Sequence, residues 1–188
     1  MSEPTHLSQF RCLAQYNSWS NDRLYRLVAS LPEAERQRNL GAFFESIHGT
    51  LNHLLLADRI WLGRFATSTC HQFSALQTAK LVFEFESLEQ ILYSDFAELW
   101  HERTETDRAI EQWMNELEPE MLSARVHYRN AARGIERNHS LWFGLTHLFN
   151  HQTHHRSQAT TLLQQLGYDY GATDFLVMYD LAKDAIEL

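Results

Sequence analysis

Apolar positions recur along most of this chain at intervals of three and four, the period of an amphipathic helix. Phe10, Leu13, Ala14, Asn17, Asn21, Leu24 and Val28 share one face and predict a helix from Pro4 or Thr5 to about Leu31. Pro32 closes it, because the residue before a proline is pushed out of the helical region. Residues 32–42 are polar, end at Gly41 and read as a connector. A second helix is predicted from Phe44 to Phe65, with Ile47, Leu51, Leu54, Asp58, Trp61, Leu62 and Phe65 facing inward. The same wheel puts His48 with Asn52, Arg59 and Gly63 on the opposite, solvated side. His53 falls beside Ala57 and Ile60, at the rim of the buried surface.

Residues 66–85 keep no period and predict a long loop. Ser87 and Gln90 form a capping-box pattern. From there Leu88, Ile91, Leu92, Phe96, Leu99 and Trp100 carry a third helix to about Leu117, ended by Glu118-Pro119. In residues 120–138, Val126-His127-Tyr128 suits a short strand. Arg125, Arg129, Arg133 and Arg137 lie four apart, which a helix would turn into a basic stripe. Gly134 weighs against that helix, so a solvated loop or hairpin is the first reading, ahead of an anion-binding patch. A fourth helix spans about Ser140 to Leu166, with Leu141, Leu145, Leu148, Ala159, Leu162, Leu163 and Leu166 as its apolar stripe. Gly167 stops it in the usual C-terminal manner. A last short helix, about Thr173 to Asp184, offers Phe175, Leu176, Tyr179 and Leu181 to the core.

No repeat, low-complexity segment or linker interrupts this order. Residues 1–188 therefore read as a single all-α domain, a four-helix bundle with a short extra C-terminal helix. Composition agrees: three prolines and seven glycines build in few turns, and a 44% hydrophobic content argues against disorder. Trp19, Trp61, Trp100, Trp113 and Trp142 read as core. The net charge of −8 disfavours a phosphate grip, so no nucleic-acid partner is expected. Cys12 and Cys70 are too few for a disulfide framework. No signal-like start and no apolar run of about 20 residues is present. These features predict a cytoplasmic protein without a membrane partner. Symmetry base rates make a homodimer the expected assembly.

The candidate chemistry lies in His147-Leu148-Phe149-Asn150-His151-Gln152-Thr153-His154-His155-Arg156-Ser157-Gln158, which holds four of the eleven histidines. His147, His151 and His155 stack along one side of a helix, and imidazoles one turn apart can share a metal ion. Spacing alone is weak evidence, so the face decides. At about 100° per residue, His155 falls inside the edge of the apolar stripe and His151 just beside it. His147 lies further round, where it could replace a ligand or support one. His154 points with Asn150 and Thr161 toward water. The pair singled out is His151 plus His155. His53 is a plausible third ligand, but on the residues alone a core histidine bonded to a carbonyl is the first reading. Asp58, on the inward face of the helix that carries His53, could orient an imidazole or pair with a neighbouring Arg on its own helix. Gln158, one turn beyond His155, could bond an imidazole or a bound ligand. Asn17 and Asn21 could line a pocket or satisfy buried backbone.

With both histidine stretches in view, the chain resembles the DinB-like family of small helical bundles. The resemblance rests on Gln15-Tyr16-Asn17-Ser18-Trp19-Ser20-Asn21, on Gly41 through His53 leading into Ala57-Asp58-Arg59-Ile60-Trp61-Leu62, and on Asn150 through Gln158. These stretches span most of the chain; the last is specific and the first only suggestive. Ser157 stands where the family often has Gly, which leaves the ligands untouched. The resemblance implies a four-helix bundle with a divalent metal held by His53, His151 and His155, and so moves His53 from core residue to ligand. Relatives in the family include bacillithiol transferases and mycothiol-dependent maleylpyruvate isomerases. The family name derives from damage induction and is no evidence of DNA binding.

Three neutral imidazoles would leave a metal at least one open position, an arrangement that is catalytic rather than structural for zinc. The expectation is an enzyme acting on a small molecule, which activates either a low-molecular-weight thiol for transfer or a water for hydrolysis. Zn or Ni come first as the metal, with Fe, Mn and Cu behind, since imidazole suits them all. The alternatives are a metal-binding stress protein without turnover, and a purely structural bundle in which the histidines are incidental.

Overall fold

The computed structural model describes residues 6–69, 71–130 and 134–182. Pro4, Thr5, Cys70, Arg133 and Asp184 lie outside the described residues, as does the Leu181 side chain. Four long helices make the bundle: α1 (His6–Ala29), α3 (Ile47–Ser68), α5 (Phe96–Glu116) and α6 (Leu141–Gln165). Between and after them come the short α2 (Glu33–Arg36), α4 (Ser74–Thr78) and α7 (Phe175–Ala182). Helices α1 and α3 each pack against both α5 and α6, so α1 and α3 occupy opposite corners. No helix among the described residues is long and apolar enough to cross a membrane.

Residues 120–138 contain a hairpin, not a basic helix. β1 (Arg125–Asn130) pairs antiparallel with β2 (Ile135–Ser140), Tyr128 opposite Arg137. Gly134 sits before β2 with φ +64°, a backbone state that glycine adopts without steric cost. Arg125 bonds Asn138 across the ladder instead of joining a helical stripe. Val126 and Tyr128 face the bundle, and β1 packs on α3.

Segment 79–95 differs most from expectation. The third long helix starts at Phe96, where Asp95 caps it by accepting the Glu98 amide at 2.8 Å. Ser87 and Gln90 do make cap-like bonds, Ser87 Oγ accepting from the Glu89 amide at 3.2 Å and Gln90 Oε1 from the Glu86 amide at 3.1 Å, but these close one turn only. The chain from Lys80 to Tyr93 is instead laid across α3. The Val82 amide donates to the Arg59 carbonyl at 3.2 Å, and the Tyr93 amide to Asn52 Oδ1 at 2.9 Å. Under this cover α3 is buried on every side from Ile47 to Gly63. His48, Asn52, Arg59 and Gly63, expected in water, are therefore interior residues. The amphipathic wheel assumes that one face meets solvent, and here an irregular segment occupies it.

Two smaller corrections concern the ends of the bundle. Helix α3 runs on to Ser68 and α4 fills part of the predicted loop. Helix α7 buries Met178, whereas Phe175, Leu176 and Tyr179 stay largely exposed, because only one edge of this short helix meets α1. Trp142 is half exposed, unlike the fully buried Trp113.

The core is split in two by a polar layer. One apolar half gathers Phe10, Phe65, Trp113, Leu141 and Leu145; the other gathers Leu24, Tyr25, Leu51, Leu99 and Leu162. Between them each long helix contributes buried polar side chains: Asn17 and Asn21, Asp58, Arg103 and Asp107, Gln152 and Arg156. Arg103 bonds Asp58 at 2.6 Å and Asp107 at 2.7 Å. Asn17 and Asn21 donate to Asp107 at 3.1 Å, and Arg156 donates to Asn17 and to Gln152. The two guanidinium groups balance the two carboxylates, and buried charge is tolerable only when paired in this way.

Candidate metal centre

His53 on α3 meets His151 and His155 on α6 at the level of the polar layer. Each offers one ring nitrogen, and the three atoms lie within 4.8 Å of one another. The closest pair, His53 Nε2 and His151 Nε2, is 3.4 Å apart. Two donors bound at about 2.0–2.1 Å to one tetrahedral ion would stand about 3.3 Å apart. His53 is buried and His151 half-buried.

Hydrogen bonds set the direction of the rings. His53 Nδ1 donates to the Leu88 carbonyl at 2.9 Å, and His155 Nδ1 donates to Gln158 Oε1 at 2.7 Å. A carbonyl oxygen only accepts, so the proton sits on Nδ1 and each Nε2 keeps its lone pair. Oxygen partners of this kind are what orient metal-binding imidazoles. His151 Nδ1 is buried without a hydrogen-bond partner among the described residues. Burial, reinforced by His155 and His53, pushes His151 down to about 3. Burial also takes His155 down to about 4 against the bond it donates to Gln158, and lowers His53. All three rings are thus neutral at pH 7, the state that a metal requires. The donor set fits a divalent ion of the borderline type.

Phe44 walls one side, stacked on His53 with ring centroids 3.8 Å apart and edge-on to His155 at 5.5 Å. Its carbonyl crosses Gly49 so closely that a Cβ there would stand 2.2 Å from the Phe44 oxygen. On the outer side a recess of about 380 Å³ opens at His147, His151 and His154. A larger cavity of about 850 Å³, lined by Phe10, Leu122, Trp142 and Phe149, adjoins that recess at Asn150 and Thr153 but is lined by none of the three histidines.

The remaining candidates separate cleanly. His147 stands outside the group of three, its ring 5.7 Å from His151 and 4.7 Å from Trp61. Exposed His154 meets His155 edge-on at 4.7 Å. His48 also stands outside the group of three, and not through exposure: its Nε2 bonds the Tyr93 carbonyl at 2.9 Å. Asp58 touches no imidazole and forms no pair within its own helix; its carboxylate is taken by Arg103 of α5 and Gln152 of α6. Asn21 serves Asp107 in the polar layer. Sequence reasoning missed Gln152 and Arg156, although Gln152 interrupts the apolar stripe midway between Leu148 and Ala159, where a polar residue needs a buried partner.

Comparison with known proteins accords with this geometry. The chain is 27% identical to protein DinB of Bacillus subtilis (strain 168) over 163 residues, which covers 87% of this chain and 89% of that one. A crystal structure of a DinB-like protein from Bacillus cereus ATCC 10987 superposes with a TM-score of 0.58 at 17% identity, covering 85% of this chain and 94% of that chain, and so shares the fold. The DinB family model matches residues 1–187, and with a helical bundle and a three-histidine cluster in place the chain belongs to the DinB family.

Proposed function

We propose that this chain is a metal-dependent enzyme that holds one divalent ion on His53, His151 and His155 and activates a thiol or a water there. The observation that carries the reading is the convergence of three neutral imidazoles with no carboxylate among them. A bound divalent ion supplies Lewis acidity, which lowers the pKa of a thiol or water beside it. The rest is the work of the chain's own groups. The Leu88 carbonyl and Gln158 hold two rings in one tautomer. Phe44 excludes water from one side, and the recess beside His147 and His154 admits a small molecule from the other. Zn or Ni suit three imidazoles best, with Fe, Mn or Cu also compatible. A low-molecular-weight thiol is the cosubstrate that this chemistry favours.

The test is metal content by mass spectrometry on the wild type and on His53→Ala, His151→Ala, His155→Ala and His154→Ala, followed by turnover of the loaded protein with small thiols and electrophiles. The expected result is loss of most metal in the first three variants and retention in the fourth. Full occupancy in His53→Ala overturns the three-histidine site. Stable metal binding without turnover leaves a non-catalytic metal-binding protein.

A further inference from the structure

Arg64 lies on the face of α3 that carries His53, three helical turns further on. Its guanidinium carbon sits over the Trp61 ring at 4.7 Å and over the Tyr128 ring at 4.2 Å. No side-chain or carbonyl oxygen among the described residues accepts a hydrogen bond from it; the titratable groups around it are Tyr128, His147 and, against the same two rings, His139. The interior arginines behave otherwise: Arg59 holds Glu102, Arg103 holds two aspartates, and Arg156 holds Asn17. Burial pulls the Arg64 pKa down, as expected of a cation that has lost water without gaining an acid. Two aromatic faces fix the plane of the guanidinium and leave its N–H fork to an outside partner.

A run of ring contacts joins that fork to the histidines. Trp61 touches His147 at 4.7 Å, and His147 stands 5.7 Å from His151. By helix rise, Arg64 lies about 16 Å along α3 from His53. The chain carries a net charge of −8, so an anion entering here needs a local cation to hold it.

We infer that Arg64 is a specificity residue that pairs with the carboxylate of an elongated small substrate or cosubstrate, whose other end reaches His53, His151 and His155. This inference rests on the metal-centre reading above. A single planar fork matches a carboxylate in both geometry and charge. A phosphate dianion would call for a second cation, and among the described residues no other arginine or lysine stacks on the Trp61 or Tyr128 ring. The aromatic walls of Trp61 and Tyr128 suit an apolar or planar spacer.

The experiment is calorimetric titration of zinc-loaded wild type, Arg64→Gln and Arg64→Lys with ω-mercaptooctanoate, ω-mercaptooctanol and octanoate. Thermal unfolding checks that each variant is folded. In the wild type the thiol acid is expected to bind about tenfold or more tightly than the thiol alcohol, the worth of one charge-assisted pair. Arg64→Gln should erase that preference while leaving the alcohol's affinity unchanged, and Arg64→Lys should restore part of it. Equal binding of acid and alcohol in the wild type, or a preference that survives Arg64→Gln, overturns the inference and leaves the metal centre standing. If neither thiol binds more tightly than octanoate but octanoate binds in an Arg64-dependent way, the thiol reading fails and the carboxylate site stands. If none of the three binds, the carboxylate site is overturned as well.

Discussion

Gln152 of α6 donates its side-chain amide to Asp58 of α3, a residue 94 positions earlier and wholly buried. The bond ties the two helices that carry the three histidines, within the polar layer and beside His151. Replacing Gln152 by Met keeps the volume but removes one of the two donors to Asp58 Oδ2. Leaving a buried polar group short of a partner costs about 1–3 kcal/mol. The urea midpoint of Gln152→Met should fall accordingly, and an unchanged midpoint would show that the layer contributes nothing there.

Gln158→Leu isolates the support of a single imidazole. Gln158 is only partly buried and accepts from His155 Nδ1. Loss of such an outer partner typically lowers metal affinity by about 10–100-fold. Competition against a chelator should show that drop while the thermal midpoint stays close to wild type. Unaltered affinity would mean that Gln158 merely decorates the surface.

The pH response follows from the lowered pKa values of the three histidines. In the unfolded chain a histidine protonates near about 6.5. In the folded chain His151 does so only at about 3 and His155 at about 4. As pH falls below the unfolded value, the unfolded state takes up protons that the folded state refuses. Stability is therefore complete above about 6.5 and drains away toward about 4. Urea midpoints of the metal-free protein should hold level from roughly pH 7.5 to 6.5 and then decline steadily to about pH 4.5, the window set by these shifts. Metal binding by free histidines would weaken through about 6.5; here that point moves downward, because burial holds His155 neutral until about 4. Zinc affinity that halves and halves again between pH 7 and 6, a change of roughly free-histidine size, would contradict this.

Gly49→Ala acts on the wall of the site. Its new Cβ would stand 2.2 Å from the Phe44 carbonyl oxygen, which belongs to backbone and cannot rotate away. The turn before α3 must shift and carry Phe44 off His53. Overpacking of this kind costs about 1–3 kcal/mol. Thermal unfolding should register it, and quenching reagents should gain access to the His53 face in footprinting.

How much of this was legible beforehand varies with the element. Helix α6 was legible almost to the residue, since its stripe is regular and Gly167 supplies the stop. His53 carried two sequence readings, ligand or carbonyl-bonded core residue, and the geometry accommodates both: Nδ1 meets the Leu88 carbonyl and Nε2 faces His151. His48 was misplaced because nothing local announces that residues 80–93 will cover α3. The pairing of Asn52 with Tyr93 joins residues 41 apart, and single-helix periodicity cannot express it. Ser87 misled for a related reason. Its capping signal is real chemistry, but tertiary demand for Leu88 and Tyr93 as partners of α3 outweighed the local preference for a helix. The polar layer was visible only as isolated oddities, Asp58 and Gln152 among apolar neighbours, because its meaning lies in four helices meeting.

His53 and His151 are 98 residues apart in sequence. An ion gripped by both would work as a cross-link as well as a reagent. It would close a loop over half the length of the chain and strip the unfolded ensemble of conformations that it otherwise explores. For a closure of this length the chain-entropy estimate is about 4.7 kcal/mol, before any strain is counted. Chelation would then loosen the pairing of α3 with α6 along its whole length, since the same two helices share the Asp58–Gln152 bond. A cell that withdraws the metal would thereby change the lifetime of the folded chain together with its reactivity.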